Sequence, residues 1–155
     1  MLPRLSRRNR VLTTVLGMVG GVLAFAPSAL ADTVTVDSQH YDLGYIDGHH
    51  YANFARITSS DTHVRGTVDI HVSPGDAMPA NDVAATIHVF RNGTECAETS
   101  AAPVVVNPSS VTDFQFAVDV WNCGHGSFTA QGETWVWTGS SWQHNFTHVT
   151  PVVAF

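Results

Sequence analysis

The sequence predicts an all-β chain, an antiparallel immunoglobulin-like β-sandwich of about 7–9 strands, with a small β-barrel as the alternative closure of the same strands. Three observations carry this. Apolar and polar residues alternate in nearly every segment after residue 32, with almost no helical period. Turn residues, among them Asn92-Gly93 and Gly139-Ser140, punctuate the chain at intervals of about ten residues. Two cysteines, Cys96 and Cys123, stand in a chain without lysine, and two thiols in an exported domain of this size most simply form one disulfide.

Residues 1–31 read as a cleaved signal peptide rather than as part of the fold. Arg4, Arg7, Arg8 and Arg10 form a basic start, Val11 to Ala26 is apolar, and Ala29-Leu30-Ala31 supplies the small residues of a cleavage site. The apolar run is shorter than the roughly twenty residues needed to span hydrocarbon, and it contains Gly17, Gly20 and Gly21. Residues 32–155 are left as a single β-sandwich domain, a length that supports one core.

Thr33 to Val36 opens that domain as a strand. Residues 41–50 form a short strand or loop around an Asp47-Gly48 turn, and Asn53 to Ser59 a second strand. Val64, Gly66, Val68, Ile70 and Val72 alternate with Arg65, Thr67, Asp69 and His71, the plainest half-buried strand in the chain. After a loop rich in Pro, Gly and Asp come Val83 to Arg91, the hairpin pair Asn92-Gly93, and a returning strand from Thr94 to Thr99. Val104 to Val106 is a short apolar stub. Val111 to Trp121 places Phe114, Phe116, Val118 and Val120 on one face, and Ser127 to Thr138 pairs with Trp142 to Thr150 across Gly139-Ser140. Pro151 leaves the tail Val152 to Phe155 at an edge.

Charge narrows the function. Without its leader the chain keeps Arg56, Arg65 and Arg91 against thirteen acids, a net charge of −10 with His neutral. A surface of that sign repels phosphate, so neither nucleic acid nor an anionic membrane is an expected partner. No H-E-x-x-H, glycine-rich phosphate loop or G-x-S-x-G elbow is present, and the absence of lysine removes Schiff-base chemistry. No catalytic residue, metal ligand or cofactor is assigned. The nine histidines read as polar surface residues in place of lysine, since no strand carries two at the spacing that one ion requires.

The aromatic residues of the last hairpin supply the candidate ligand-binding set: Trp135, Trp137, Trp142 and His144. If Gly139-Ser140 is the turn, Trp137 opposes Trp142, Trp135 opposes His144 and Glu133 opposes Phe146, all on one face. The two strands disagree about which face is buried. Polar Gln143, Asn145 and Thr147 on the returning strand favour buried tryptophans, whereas Phe128, Ala130 and Val136 on the outgoing strand favour exposed ones. A β-bulge at Gly132 would reconcile them by burying the tryptophans, and this is the expected arrangement. Without a bulge the three indoles form an exposed strip suited to stacking on sugar rings.

The basic leader, the lack of lysine and the segment Cys123-Gly124-His125-Gly126-Ser127-Phe128-Thr129-Ala130-Gln131-Gly132-Glu133-Thr134-Trp135 resemble small secreted β-domain proteins of actinomycetes of unassigned function, over the C-terminal third of the chain. The resemblance implies an extracellular bacterial domain with one disulfide and transfers no functional residue. The sequence-level expectation is therefore a secreted, non-enzymatic binding module whose partner is an extracellular protein or glycan. Carbohydrate or cell-wall binding on the tryptophans is the alternative within that class. A secreted hydrolase, or a His-dependent metal-binding protein, is the alternative outside it.

Overall fold

The computed structural model describes residues 33–155; the signal peptide expected at 1–31 lies outside them. Two antiparallel sheets stack face to face and curl through half a barrel without closing, so the sandwich is the observed class. The first sheet contains β1 (Val34–Asp37), β2 (Tyr41–Ile46), β3 (His49–Ser59), β4 (Val64–Val72) and β8 (Asp113–Val120). β1 and β2 share one edge of β3, and β4 and then β8 follow on the other side. The second sheet contains β5 (Val83–Arg91), β6 (Thr94–Glu95), β7 (Val105–Val106), β9 (Ser127–Trp137), β10 (Trp142–Phe146) and β11 (Val153–Ala154). β10 and β11 share one edge of β9, β5 pairs along its other edge, and β5 in turn pairs with β6 and β7.

Alternation places the core where the sequence puts it. Val64, Val68 and Ile70 of β4 meet Val83, Ile87 and Val89 of β5 and Phe128, Ala130 and Val136 of β9, all at 0% exposure. Between the layers, Asn53 Nδ2 donates a 2.6 Å hydrogen bond to Thr134 Oγ1, tying β3 to β9 through two buried polar side chains.

Gly66 and Gly132 mark the closest approaches of the sheets. A Cβ on Gly132 would overlap Val68 from β4 and press on Thr147, and one on Gly66 would overlap Val89. Gly132 is thus a packing glycine in an unbroken strand, paired with Ile87 in continuous register, and not the site of a bulge. The bulge falls instead in β2, between Asp42 and Gly44, where Gly44 takes φ +76°.

Cys96 follows β6 in the second sheet and Cys123 follows β8 in the first, so their disulfide fastens the two layers at one rim, with Cys96 buried in the core cluster and Cys123 packed against it. A disulfide is a feature of chains folded in an oxidising environment. No helix of the described residues is long and apolar enough to cross a membrane. The expected returning strand Thr94 to Thr99 is only two residues long. The chain then turns into α1 (Ala97–Ser100), because Cys96 is drawn inward to its partner and Thr99 Oγ1 bonds back to the Cys96 carbonyl at 3.0 Å. Beside the bridge, burial pushes the Glu98 carboxyl up in pKa. The backbone N–H groups of Asn122, Glu98 and Trp121 outweigh that and leave it below its ordinary value. On the opposite sheet Arg56 grips Asp37 with two bonds of 2.6 and 2.9 Å, joining β3 to β1, and that hydrogen bond holds the Asp37 carboxyl down.

Candidate functional site

The outer face of the second sheet is built by β10, β9, β5 and β7 in that order. Its register follows from the two-residue turn at Gly139-Ser140. Trp142 pairs with Trp137, His144 with Trp135 and Phe146 with Glu133. The next column, on β5, sets Ala84 beside Trp135 and Thr86 beside Glu133, and β7 sets Val106 beside Ala84.

With no bulge at Gly132, the tryptophans point away from the core, which corrects the expected burial. Trp142 is 44% exposed, and Trp135 and Trp137 are half-buried by their neighbours. The indoles of Trp137 and Trp142 meet edge to face with centroids 5.5 Å apart. Trp135 stacks flat on His144 at 4.7 Å and 11°, and His144 in turn leans on Phe146 at 4.7 Å. All four candidate residues therefore lie in one contiguous surface.

That surface has an apolar end and a polar end. At the apolar end an open cleft of about 290 Å³ is lined by Ala84, Val104, Val106, Trp135 and Trp142. At the polar end a chain of imidazoles and carboxylates crosses the strands. His144 Nε2 lies 3.0 Å from one oxygen of Glu133, and His88 Nε2 lies 3.2 Å from the other. His88 Nδ1 is 2.6 Å from Glu95. The contact to Glu133 is off the hydrogen-bonding line, which leaves His88 Nε2 buried without a partner, as is Thr86 Oγ1 beside it.

Around the β10 edge a second open cleft, of about 390 Å³, runs between Tyr41 and the segment His144 to His148. His148, which a regular strand would place on the aromatic face, leaves it. β10 ends at Phe146, and the His148 ring packs against Tyr41 at 5.5 Å. The fourth tryptophan, Trp121, stands apart from the strip and stacks on His63.

Sequence reasoning identified the β9–β10 half of this face and missed the β5 and β7 half: Ala84, Thr86, His88, Val104 and Val106, with Glu95 of β6 beyond them. The outward parity of Ala84, Thr86 and His88 was readable on β5. Its pairing with β9, some forty residues later, left no local signal. Comparison with protein-family models, with characterised proteins and with solved structures gave no match to this chain.

Proposed function

We propose that this chain is a secreted, non-enzymatic binding module whose ligand is a glycan of cell-wall or polysaccharide type, held along the outer face of the second sheet. The supporting observation is a contiguous indole surface, Trp135, Trp137 and Trp142, that ends against a row of hydrogen-bonding groups. The C–H faces of pyranose rings stack on indoles, and sugar hydroxyls need donors and acceptors within a few ångströms of that stack. Glu133, His144 and Gln131 supply them at the surface, whereas the unpaired His88 Nε2 and Thr86 Oγ1 are buried beneath. Both clefts are open, which suits an extended chain lying across the strands better than a small molecule that must be enclosed. The oxidising environment implied by the disulfide, the leader-like residues 1–31 and the strong negative charge agree with an extracellular setting.

Retention on insoluble cellulose, chitin and peptidoglycan tests the reading, with wild type compared to Trp142→Ala. Trp142 is 44% exposed and lies outside the core, so its removal spares the fold. The wild type is expected to be retained on at least one matrix, and the variant to bind it roughly tenfold or more weakly, as for a central aromatic anchor. Equal retention of both proteins, or of neither, ends the proposal.

A further inference from the structure

We propose a second site, on the outer face of the opposite sheet, where Asp69, His71 and Asp113, joined by His40, bind a divalent transition-metal ion of the zinc class. It does not rest on the glycan reading, because none of its residues touches the aromatic strip. β4 presents Asp69 and His71 two positions apart on the solvent side, and the β4–β8 register sets Asp113 directly opposite His71. One donor atom from each of the three lies within 4.8 Å of the other two. An ion bound at about 2.1 Å in tetrahedral geometry holds its donors roughly 3.4 Å apart, so side-chain rotation alone closes the set.

The electrostatics favour a cation here. Asp69 is 4% exposed although it stands on an outer face, because Phe54 and Gln115 flank it on the adjoining strands. A buried carboxylate next to a second carboxylate is costly without a compensating positive charge. The chain has no lysine to provide one. Arg56, hydrogen-bonded to Asp37, acts on Asp69 only through space, and Arg65 lies 3.1 Å from Asp119. Asp69 instead receives the Gln115 amide at 2.6 Å and lies 3.3 Å from His71 Nδ1. An amide hydrogen bond that fixes a carboxylate's orientation is the kind of support that metal-ligating carboxylates carry.

His40 completes the proposed set as a fourth donor from outside the three that already lie within 4.8 Å of one another. Its ring stacks on Phe54 at 4.5 Å, and its centroid is 5.3 Å from that of His71. Two imidazoles bound to one tetrahedral ion have centroids about 5 Å apart, a separation that His40 and His71 match, and the His40 ring must turn off Phe54 to aim a nitrogen at the ion. A set of two imidazoles and two carboxylates suits zinc, nickel or copper. Calcium and magnesium take oxygen donors instead.

Isothermal titration of untagged, EDTA-treated protein with zinc chloride tests the site, with cobalt absorption as a spectroscopic check on geometry. One saturable ion per chain is expected. His71→Ala and Asp113→Asn, both at positions outside the core, should each weaken binding by about tenfold or more. His40→Ala should weaken it less, while His88→Ala and His144→Ala on the other sheet should leave it unchanged. Each variant's near-ultraviolet circular dichroism confirms that it is folded. Absence of heat at submillimolar zinc, binding that survives the His71→Ala/Asp113→Asn double substitution, or loss of binding on removing His88 or His144 would overturn the proposal.

Discussion

Gly132→Ala should destabilise the protein by about 2–3 kcal/mol, a large effect for one added methyl group, because the new Cβ has no room. It would overlap Val68, which is fully buried on the facing strand β4, and crowd Thr147 behind it. Neither neighbour can yield cheaply. Val68 is packed between β5 and β9, and Thr147 Oγ1 accepts the Gly132 N–H at 2.9 Å. Pairing the change with its neighbour gives a sharper expectation. Gly132→Ala combined with Val68→Ala should be less destabilised than the sum of the two changes, with a coupling of roughly 1 kcal/mol or more. Urea unfolding of the two single variants and the double variant measures it. Additive losses would mean that the glycine is required for something other than the close approach of the sheets.

Cys96→Ala with Cys123→Ala should cost about 3–4 kcal/mol, the closure entropy of a loop with a sequence separation of 27. For a domain of this size that corresponds to a fall in Tm on the order of 10 °C. The bridge joins chain segments that follow β6 and β8, one from each sheet, so its loss frees that rim and removes the Cys96 packing from the core, while the rest of the alternating core stays in place. Thermal unfolding followed by circular dichroism reads the shift. A change of only a degree or two would show that the rim is held by other contacts, of which the Glu98 carboxylate bound to the Asn122 N–H is the first to examine.

Most of the fold was legible because alternation survives wherever one strand face is buried and the other wet. β4 and β5 have the bounds their sequence pattern sets, and the Asn92-Gly93 hairpin takes the positive φ angles that its residues favour. The parity conflict in the last hairpin was real, but its resolution was not local. Gln143 and Asn145 lie on the inward side of β10, yet that strand packs on β9 and has no substantial contact with the facing sheet, and Thr147, just past its end, is buried with its hydroxyl on the Gly132 N–H. An inward position there does not require an apolar residue. Thr134 is buried and polar because Asn53, from the other sheet, hydrogen-bonds it. Gly132 looks the same in sequence whether it opens a bulge or admits Val68, since only the packed layers distinguish the two.

The site was half legible for the same reason. Gly139-Ser140 fixes the register of β9 against β10, so every cross-strand pair from Glu133 to Phe146 followed from the sequence. His88 and Thr86 reach Glu133 only through the β5–β9 pairing, which is long-range, and Glu95 joins through His88. The Asp69–His71–Asp113 cluster is a parallel case. Asp69 and His71 show their shared face in sequence, whereas Asp113 and His40 arrive from other parts of the chain.

Iodide quenching of tryptophan fluorescence, in a Trp121→Phe background that leaves Trp135, Trp137 and Trp142 as the emitters, tests the central claim most directly. Outward-facing indoles predict efficient quenching and a red-shifted emission in the free protein, and both should diminish when a saturating soluble oligosaccharide of the retaining matrix covers the strip. Blue-shifted emission that iodide does not quench would place the tryptophans in the core and contradict the account.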